Sequence, residues 1–147
     1  MTRILCVCLG NICRSPTAEA VLRHMARDLT IDSAGTSDWN IGCSPYGPAV
    51  AAGAARGYDL SLLRARQITR ADFTDFDLIL AMDANNLAEI ESLRPPGSGT
   101  PVRIFLDYAD GHEGQNIPDP YYTRDFDGAL DLIEKAATGL LKSLNRT

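Results

Sequence analysis

Apolar positions in this chain fall into short continuous runs separated by longer stretches at helical spacing. Ile4-Leu5-Cys6-Val7 is such a run, and it predicts a buried strand over residues 3–8. A helix is predicted over 16–29, with Val21, Met25 and Leu29 on one face and Leu22 and Ala26 beside them. A second strand is expected near 30–34, and an alanine-rich short helix over 47–57 that stops at Gly57. Asp77-Leu78-Ile79-Leu80-Ala81-Met82 reads as a third buried strand. A helix over 84–93 follows, closed by Pro95-Pro96-Gly97. Val102-Arg103-Ile104-Phe105-Leu106 is the fourth predicted strand, followed by a long loop carrying Gly111, Gly114 and Pro118. The last helix is predicted over 125–144, where Phe126, Leu130, Ile133, Ala137, Leu140 and Leu144 keep a helical stripe that reads as core packing.

Strand and helix alternate throughout. That order predicts an α/β fold of three layers, a central four-stranded parallel sheet flanked by helices on both faces, with residues 1–147 as one domain. Ligands of such sheets sit beyond the carboxyl ends of the strands, where strand order reverses. The first strand delivers Cys8-Leu9-Gly10-Asn11-Ile12-Cys13-Arg14-Ser15 to such an end.

That octapeptide carries the strongest chemical signal. A thiol attacks only as thiolate, and a helix N-terminus, converging backbone N–H groups and an arginine all favour the anion, so Cys8 is the candidate nucleophile. The same groups suit a phosphate dianion. The N–H groups of residues 9 to 14 can turn inward as a nest, with the helix dipole behind them, which makes Leu9, Gly10, Asn11, Ile12 and Cys13 candidate binding residues. Gly10 and Asn11 suit a loop that needs unusual dihedrals. The planar fork of Arg14 matches two phosphoryl oxygens at once. Ser15 has two readings of equal weight: a cap for the helix, with Pro16 at its first position, or a donor to the Cys8 sulfur.

Composition narrows the partners. Net charge is −5 with no run of Lys or Arg, which argues against nucleic acid and against an anionic membrane surface. No apolar stretch approaches the roughly 20 residues needed to span a bilayer. Met1-Thr2-Arg3 leads straight into a strand with no signal-peptide pattern, so the expected location is the cytoplasm. The four cysteines, Cys6, Cys8, Cys13 and Cys43, fit reduced thiols better than a disulfide scaffold. A zinc reading of Cys6, Cys8 and Cys13 lacks a second Cys-x2-Cys or His pair, and Cys6 should face away from Val7. His24 and His112 have no ligand partner at helical spacing. No metal or other cofactor is expected.

A bare Cys-x5-Arg is weak, but the whole string between strand and helix is specific. It resembles the signature of the low-molecular-weight protein tyrosine phosphatases. The resemblance continues through Ile31-Asp32-Ser33-Ala34-Gly35-Thr36, Ser37-Asp38-Trp39-Asn40, Ala65-Arg66-Gln67, Ala81-Met82-Asp83 and Asp119-Pro120-Tyr121-Tyr122, in family order. It implies hydrolysis of phosphotyrosine through a cysteinyl-phosphate, without metal. It also implies phosphotyrosine proteins as substrates, inorganic phosphate as product, and a monomer or weak self-association.

Expelling a tyrosine phenolate needs an acid opposite the thiolate. On the residues alone, Asp119 in Ile117-Pro118-Asp119-Pro120 reads as an ordinary Asp-Pro turn; the resemblance makes it the general acid and later the base. Tyr121 and Tyr122, adjacent aromatics in a polar loop, can wall a slot for a phenyl ring, with Trp39 opposite and Asn40 beside it. By the resemblance these are the aromatic rims of the cleft. Cys13 reads either as a small buried filler or, with the resemblance, as a thiol that forms a reversible disulfide with Cys8.

Two departures from the family pattern stand out. Leu63 occupies a position where many members carry a histidine bonded to the loop asparagine, leaving Ser33 as the partner for Asn11. Pro45-Tyr46-Gly47-Pro48 stands where many read Pro-Asp-Pro-Arg. Three other functions are weaker. Arsenate reduction needs further relay cysteines, and none follows Cys43. Related arginine phosphatases carry threonine where this chain has Ile12. A module that binds phosphotyrosine without cleaving it would not need Cys8, Arg14 and Asp119 together. A nucleotide-binding P-loop is excluded, since no Gly-Lys-Ser/Thr follows the turn.

Overall fold

The computed structural model describes residues 2–144. Four strands, β1 (Arg3–Cys8), β2 (Thr30–Gly35), β3 (Leu78–Ala81) and β4 (Val102–Ile104), form one parallel sheet in the order β2-β1-β3-β4. The helices are α1 (Arg14–Met25), α2 (Gly47–Ala55), α3 (Asp72–Asp75), α4 (Ala84–Ser92), α5 (Pro120–Thr123) and α6 (Phe126–Ser143). The predicted three-layer α/β architecture is the observed one.

Both faces of the central strands are covered, which is why β1 and β3 read as unbroken apolar runs. Ile4, Cys6, Cys8 and Leu80 face one core, shared with Leu22 of α1, Ala49 of α2 and Leu130, Ile133 and Leu140 of α6. Leu5, Val7, Ile79 and Ala81 face the other, shared with Phe73 of α3 and Ile90 of α4. Cys6 and Val7 therefore take opposite faces as expected, and Cys8 shares the face that α1 and α6 cover.

Several boundaries differ from the sequence reading. Helix α1 opens at Arg14 rather than Pro16 and ends at Met25 rather than 29. Met25 is 41% exposed, whereas Leu22, Ala26 and Leu29 are buried. The apolar stripe continues in space, but a turn carries it, with the Leu29 N–H bonded to the Ala26 carbonyl at 3.1 Å. Strand β4 stops at Ile104, and Phe105–Tyr108 form a 3-10 turn that buries Phe105 and Leu106 together. A straight strand would have sent those two side chains to opposite faces. Gly139 of α6 allows this turn to dock, since a Cβ there would run into the Tyr108 carbonyl oxygen. The four-residue helices α3 and α5 were not anticipated.

The chain leaves β1 through α1 to β2 on one side, then crosses back to β3 on the other. The loop after Cys8 thus sits at the point where strand order reverses, the position where open α/β sheets bind ligands. Among the described residues, no helix is long and apolar enough to cross a membrane.

Candidate active site

The loop between β1 and α1 is held from outside by its carbonyl groups. The Thr36 N–H donates to the Cys8 carbonyl at 2.9 Å, and the Ser37 N–H and hydroxyl both donate to that of Leu9 at 3.0 Å. Asn40 Nδ2 donates to the Gly10 carbonyl at 3.3 Å, and the Tyr46 N–H to that of Ile12 at 2.9 Å. In a trans peptide a carbonyl and the next residue's N–H point in opposite directions. Carbonyls tied outward therefore turn the following N–H groups inward, and the Asn11 N–H does point at Cys8 Sγ, 3.2 Å away. This is an anion nest built by its surroundings.

Only one of the two expected residues takes the unusual dihedral. Asn11 is left-handed at φ 55. Gly10 instead allows close approach: a Cβ there would lie 2.8 Å from Asn40 Nδ2.

Cys8, 3% exposed, places its sulfur at the floor of this nest. Ser15 lies fully buried behind it, with Oγ 3.0 Å from Sγ. The N-cap of α1 is Cys13, with no side-chain cap bond, so of the two readings of Ser15 the cap is not the observed one and the contact with the sulfur is. Because α1 starts at Arg14, Ser15 lies within the first turn and its side chain points at the sulfur. Asn11 Nδ2 donates to Ser15 Oγ at 2.7 Å, leaving the hydroxyl hydrogen for the sulfur at 3.0 Å or the more distant Ala34 carbonyl at 3.4 Å.

Asn11 also donates to Ser33 Oγ at 3.0 Å and accepts from the Arg66 N–H at 3.0 Å. The side chain thus keeps a full set of partners with Leu63 in place of histidine. Behind Ser33 lies Glu19, 2% exposed, which accepts from the Ser33 hydroxyl at 2.7 Å and pairs with Arg23 at 2.8 Å. Burial raises the Glu19 pKa, and Ser33 and Arg23 pull it back only in part. A buried polar chain therefore runs from Glu19 through Ser33, Asn11 and Ser15 to the sulfur. Sequence reasoning had named Asn11 a binding residue. Its side chain is structural, and its backbone faces the nest.

Arg14 is 3% exposed in its side chain. Nη1 donates to Asp83 at 2.7 Å and to the Ile117 carbonyl at 2.9 Å, and Nη2 reaches Asp119 at 3.5 Å. Burial works against its charge, but Cys8, Asp83 and Asp119 outweigh it and hold the guanidinium above its usual pKa. Asp83 was missed as a site residue. It caps α4 through the Asn86 N–H at 2.7 Å, and an aspartate at a strand end before a helix was the available signal.

Asp119 caps α5, accepting from the Tyr121 N–H at 3.1 Å, with Pro120 at the first helical position. Asp-Pro is a helix-start pattern that a turn reading overlooks. Tyr121 and Tyr122 follow on this single turn, with rings 5.3 Å apart at 80°. Cys8, Leu9, Gly10, Ile12, Cys13 and Arg14 line one cleft of about 230 Å³ together with Trp39 and Asn40 on one side and Asp119, Tyr121 and Tyr122 on the other. Trp39 and Tyr122 are each 70% exposed, so the cleft has aromatic lips and a polar floor.

A sequence model of the low molecular weight phosphotyrosine protein phosphatases matches residues 3–147. The chain belongs to this family. It is 36% identical over 152 residues to the low molecular weight protein-tyrosine-phosphatase YfkJ of Bacillus subtilis, covering 99% of this chain and 97% of that protein. A crystal structure of the protein tyrosine phosphatase of Entamoeba histolytica superimposes with a TM-score of 0.90 at 33% identity, covering 99% and 97% of the two chains. The Drosophila arginine phosphatase DARP superimposes with a TM-score of 0.91 at 32% identity, covering 97% and 98%. Membership of the low molecular weight phosphatases gives the convergence of Cys8 and Arg14 beyond one strand end a chemical setting. It leaves the choice among phosphorylated substrates to the walls of the cleft.

Proposed function

We propose that this chain is a protein-tyrosine phosphatase that works through a cysteinyl-phosphate. The Cys8 sulfur attacks phosphorus in line with the departing tyrosine oxygen. The S–P bond forms as the P–O bond breaks, and Asp119 delivers a proton to the leaving oxygen. Arg14 and the N–H groups of Leu9 to Arg14 hold the three other oxygens as charge builds on them. Asp119, now a carboxylate, takes a proton from water. The water oxygen bonds to phosphorus, the S–P bond breaks, and inorganic phosphate leaves. Ser15 donates to the sulfur as it departs. The carrying observation is the Cys8 sulfur at a nest floor with the buried Arg14 fork tied to both Asp83 and Asp119.

The substrate end of the reading rests on the walls. Ile12 and three exposed aromatic rings favour a flat aryl group, and Trp39, Asn40, Tyr121 and Tyr122 are the residues we assign to grip it. The fold shared with DARP makes phosphoarginine the second reading. Matched peptides bearing phosphotyrosine or phosphoarginine decide between them. The expected result is a kcat/KM higher for phosphotyrosine by about 10²-fold or more, the scale of discrimination that shaped pockets reach. A preference for phosphoarginine replaces the aryl reading. The protein is expected to act in the cytoplasm, on phosphotyrosine proteins, as a monomer or weakly self-associating species.

Cys13 fits a protective role that has its own pH signature. Peroxide converts the Cys8 thiolate to a sulfenic acid. The Cys13 thiolate then attacks that sulfur, forming S–S as the S–O bond breaks, and the departing hydroxide takes a proton from solvent and leaves as water. Burial, followed by Asp119 and Cys8, pushes the Cys13 thiol up to about 12. A raised thiol pKa means little thiolate at neutrality, so closure should speed up as pH rises from 7 to 10. Mass mapping of acid-quenched peroxide time courses measures this; a closure rate flat in pH removes Cys13 as the attacking thiol.

A further inference from the structure

The element that carries Asp119 and the two tyrosines is a single helical turn, too short to hold itself together. It ends at Arg124, a non-glycine residue in the left-handed region at φ 64. The Arg124 guanidinium lies 5.3 Å from the ring centroid of Tyr46 and 5.3 Å from that of Phe126. Both terminal nitrogens lie 3.2 Å from the Tyr46 hydroxyl oxygen, and Nη1 also donates to the Tyr121 carbonyl at 3.2 Å. The Tyr46 ring packs tilted against that of Tyr121, with centroids 5.2 Å apart. At its backbone end, Tyr46 donates its N–H to the Ile12 carbonyl of the phosphate-gripping loop at 2.9 Å.

Tyr46 therefore touches both halves of the site, the loop by its backbone and α5 by its ring and hydroxyl. We propose that the Tyr46–Arg124 clamp is a positioning device: it sets α5, and with it Asp119 and Tyr121, relative to the Cys8–Arg14 loop. Tyr46 lies in the segment where this chain departs from the Pro-Asp-Pro-Arg of its resemblance, so an aromatic–cation contact is made from a segment that lacks that acidic and that basic residue. A loosened α5 would leave the nucleophile and the anion nest intact while blurring the placement of the acid, since proton transfer depends steeply on geometry.

The inference rests on the reading of Asp119 as general acid, and one experiment separates the two. For Arg124→Gln, Tyr46→Phe, the double variant and Asp119→Ala, kcat/KM is measured on phenyl phosphate and on 2,4-dinitrophenyl phosphate. The first has a basic leaving group that needs a proton; the second does not. Inorganic phosphate inhibition is measured alongside. Asp119→Ala should lose about 10²-fold or more on phenyl phosphate and far less on the dinitrophenyl ester. Arg124→Gln should show the same split on a smaller scale, about tenfold against less than about twofold, with phosphate inhibition unchanged. Tyr46→Phe should lose less than Arg124→Gln, and the double variant no more than Arg124→Gln alone, because the two residues act as one contact. Equal losses on both esters, additive losses, or no loss in the clamp variants beside a split in Asp119→Ala overturn the clamp and leave the acid standing. Absence of a split in Asp119→Ala overturns both.

Discussion

Replacing Cys8 by serine should lower turnover of phosphotyrosine by ~10⁵-fold or more while leaving inorganic phosphate bound. The change swaps one atom in a position that is 3% exposed, so packing is nearly conserved. A serine hydroxyl keeps its proton where a thiol can lose one, and among the described residues the sulfur's hydrogen-bond partners, the Ser15 hydroxyl and the Asn11 N–H, are not bases that could take it. The nest does not depend on the sulfur. Its outward carbonyl ties run to Thr36, Ser37, Asn40 and Tyr46. Phosphate affinity should therefore survive, read by the fluorescence of Trp39, the single tryptophan, which lines the cleft. Residual turnover within about tenfold of the parent would remove Cys8 as nucleophile. Loss of phosphate binding together with turnover would mean that the sulfur, rather than the backbone, organises the loop.

The parts of this site that lie together in sequence were legible there, and Trp39, Asn40, Asp119, Tyr121 and Tyr122 were reached through the resemblance; the pairings that only the fold makes were not. Cys8 to Arg14 is contiguous and bounded by strand and helix, so its chemistry could be read directly. Ser15 could not be assigned, because cap and sulfur donor differ by where the helix begins, and helix starts are uncertain by a residue or two. The two-residue shift from Pro16 to Arg14 decides it. Gly10 and Asn11 looked alike as turn residues, yet one supplies a left-handed dihedral and the other room for Asn40. Asp83 and Ile117 reach Arg14 from the end of β3 and the loop before α5, across sequence separations of 69 and 103 residues. No local pattern announces such a pairing. The same holds for Tyr46 and Arg124, whose meaning exists only once the residue before α2 meets the residue after α5. Met25 marks the opposite limit, a residue at perfect helical spacing that tertiary packing leaves at the surface.

Arg14→Lys is the second large effect, and it isolates shape from charge. The expected result is a fall in kcat/KM of ~10³-fold, at the lower end of what a transition-state arginine contributes in phosphoryl transfer. Arg14 performs two tasks at once. Nη1 is spent on Asp83 at 2.7 Å and the Ile117 carbonyl at 2.9 Å, and that anchoring leaves the rest of the fork rigid toward the cleft. A lysine has one nitrogen; held by Asp83 it cannot also present two donors to phosphoryl oxygens, and freed from Asp83 it leaves that carboxylate unpaired. Alanine is the less informative change, since it strands Asp83 and Asp119 around an uncompensated hole and mixes instability with lost catalysis. Lysine keeps the charge that offsets both carboxylates, so its thermal midpoint should stay close to the parent's while the phosphate inhibition constant rises. An Arg14→Lys enzyme within about tenfold of the parent would show that a point charge suffices at this position. The bidentate geometry imposed by Asp83 and Ile117 would then serve folding rather than the reaction.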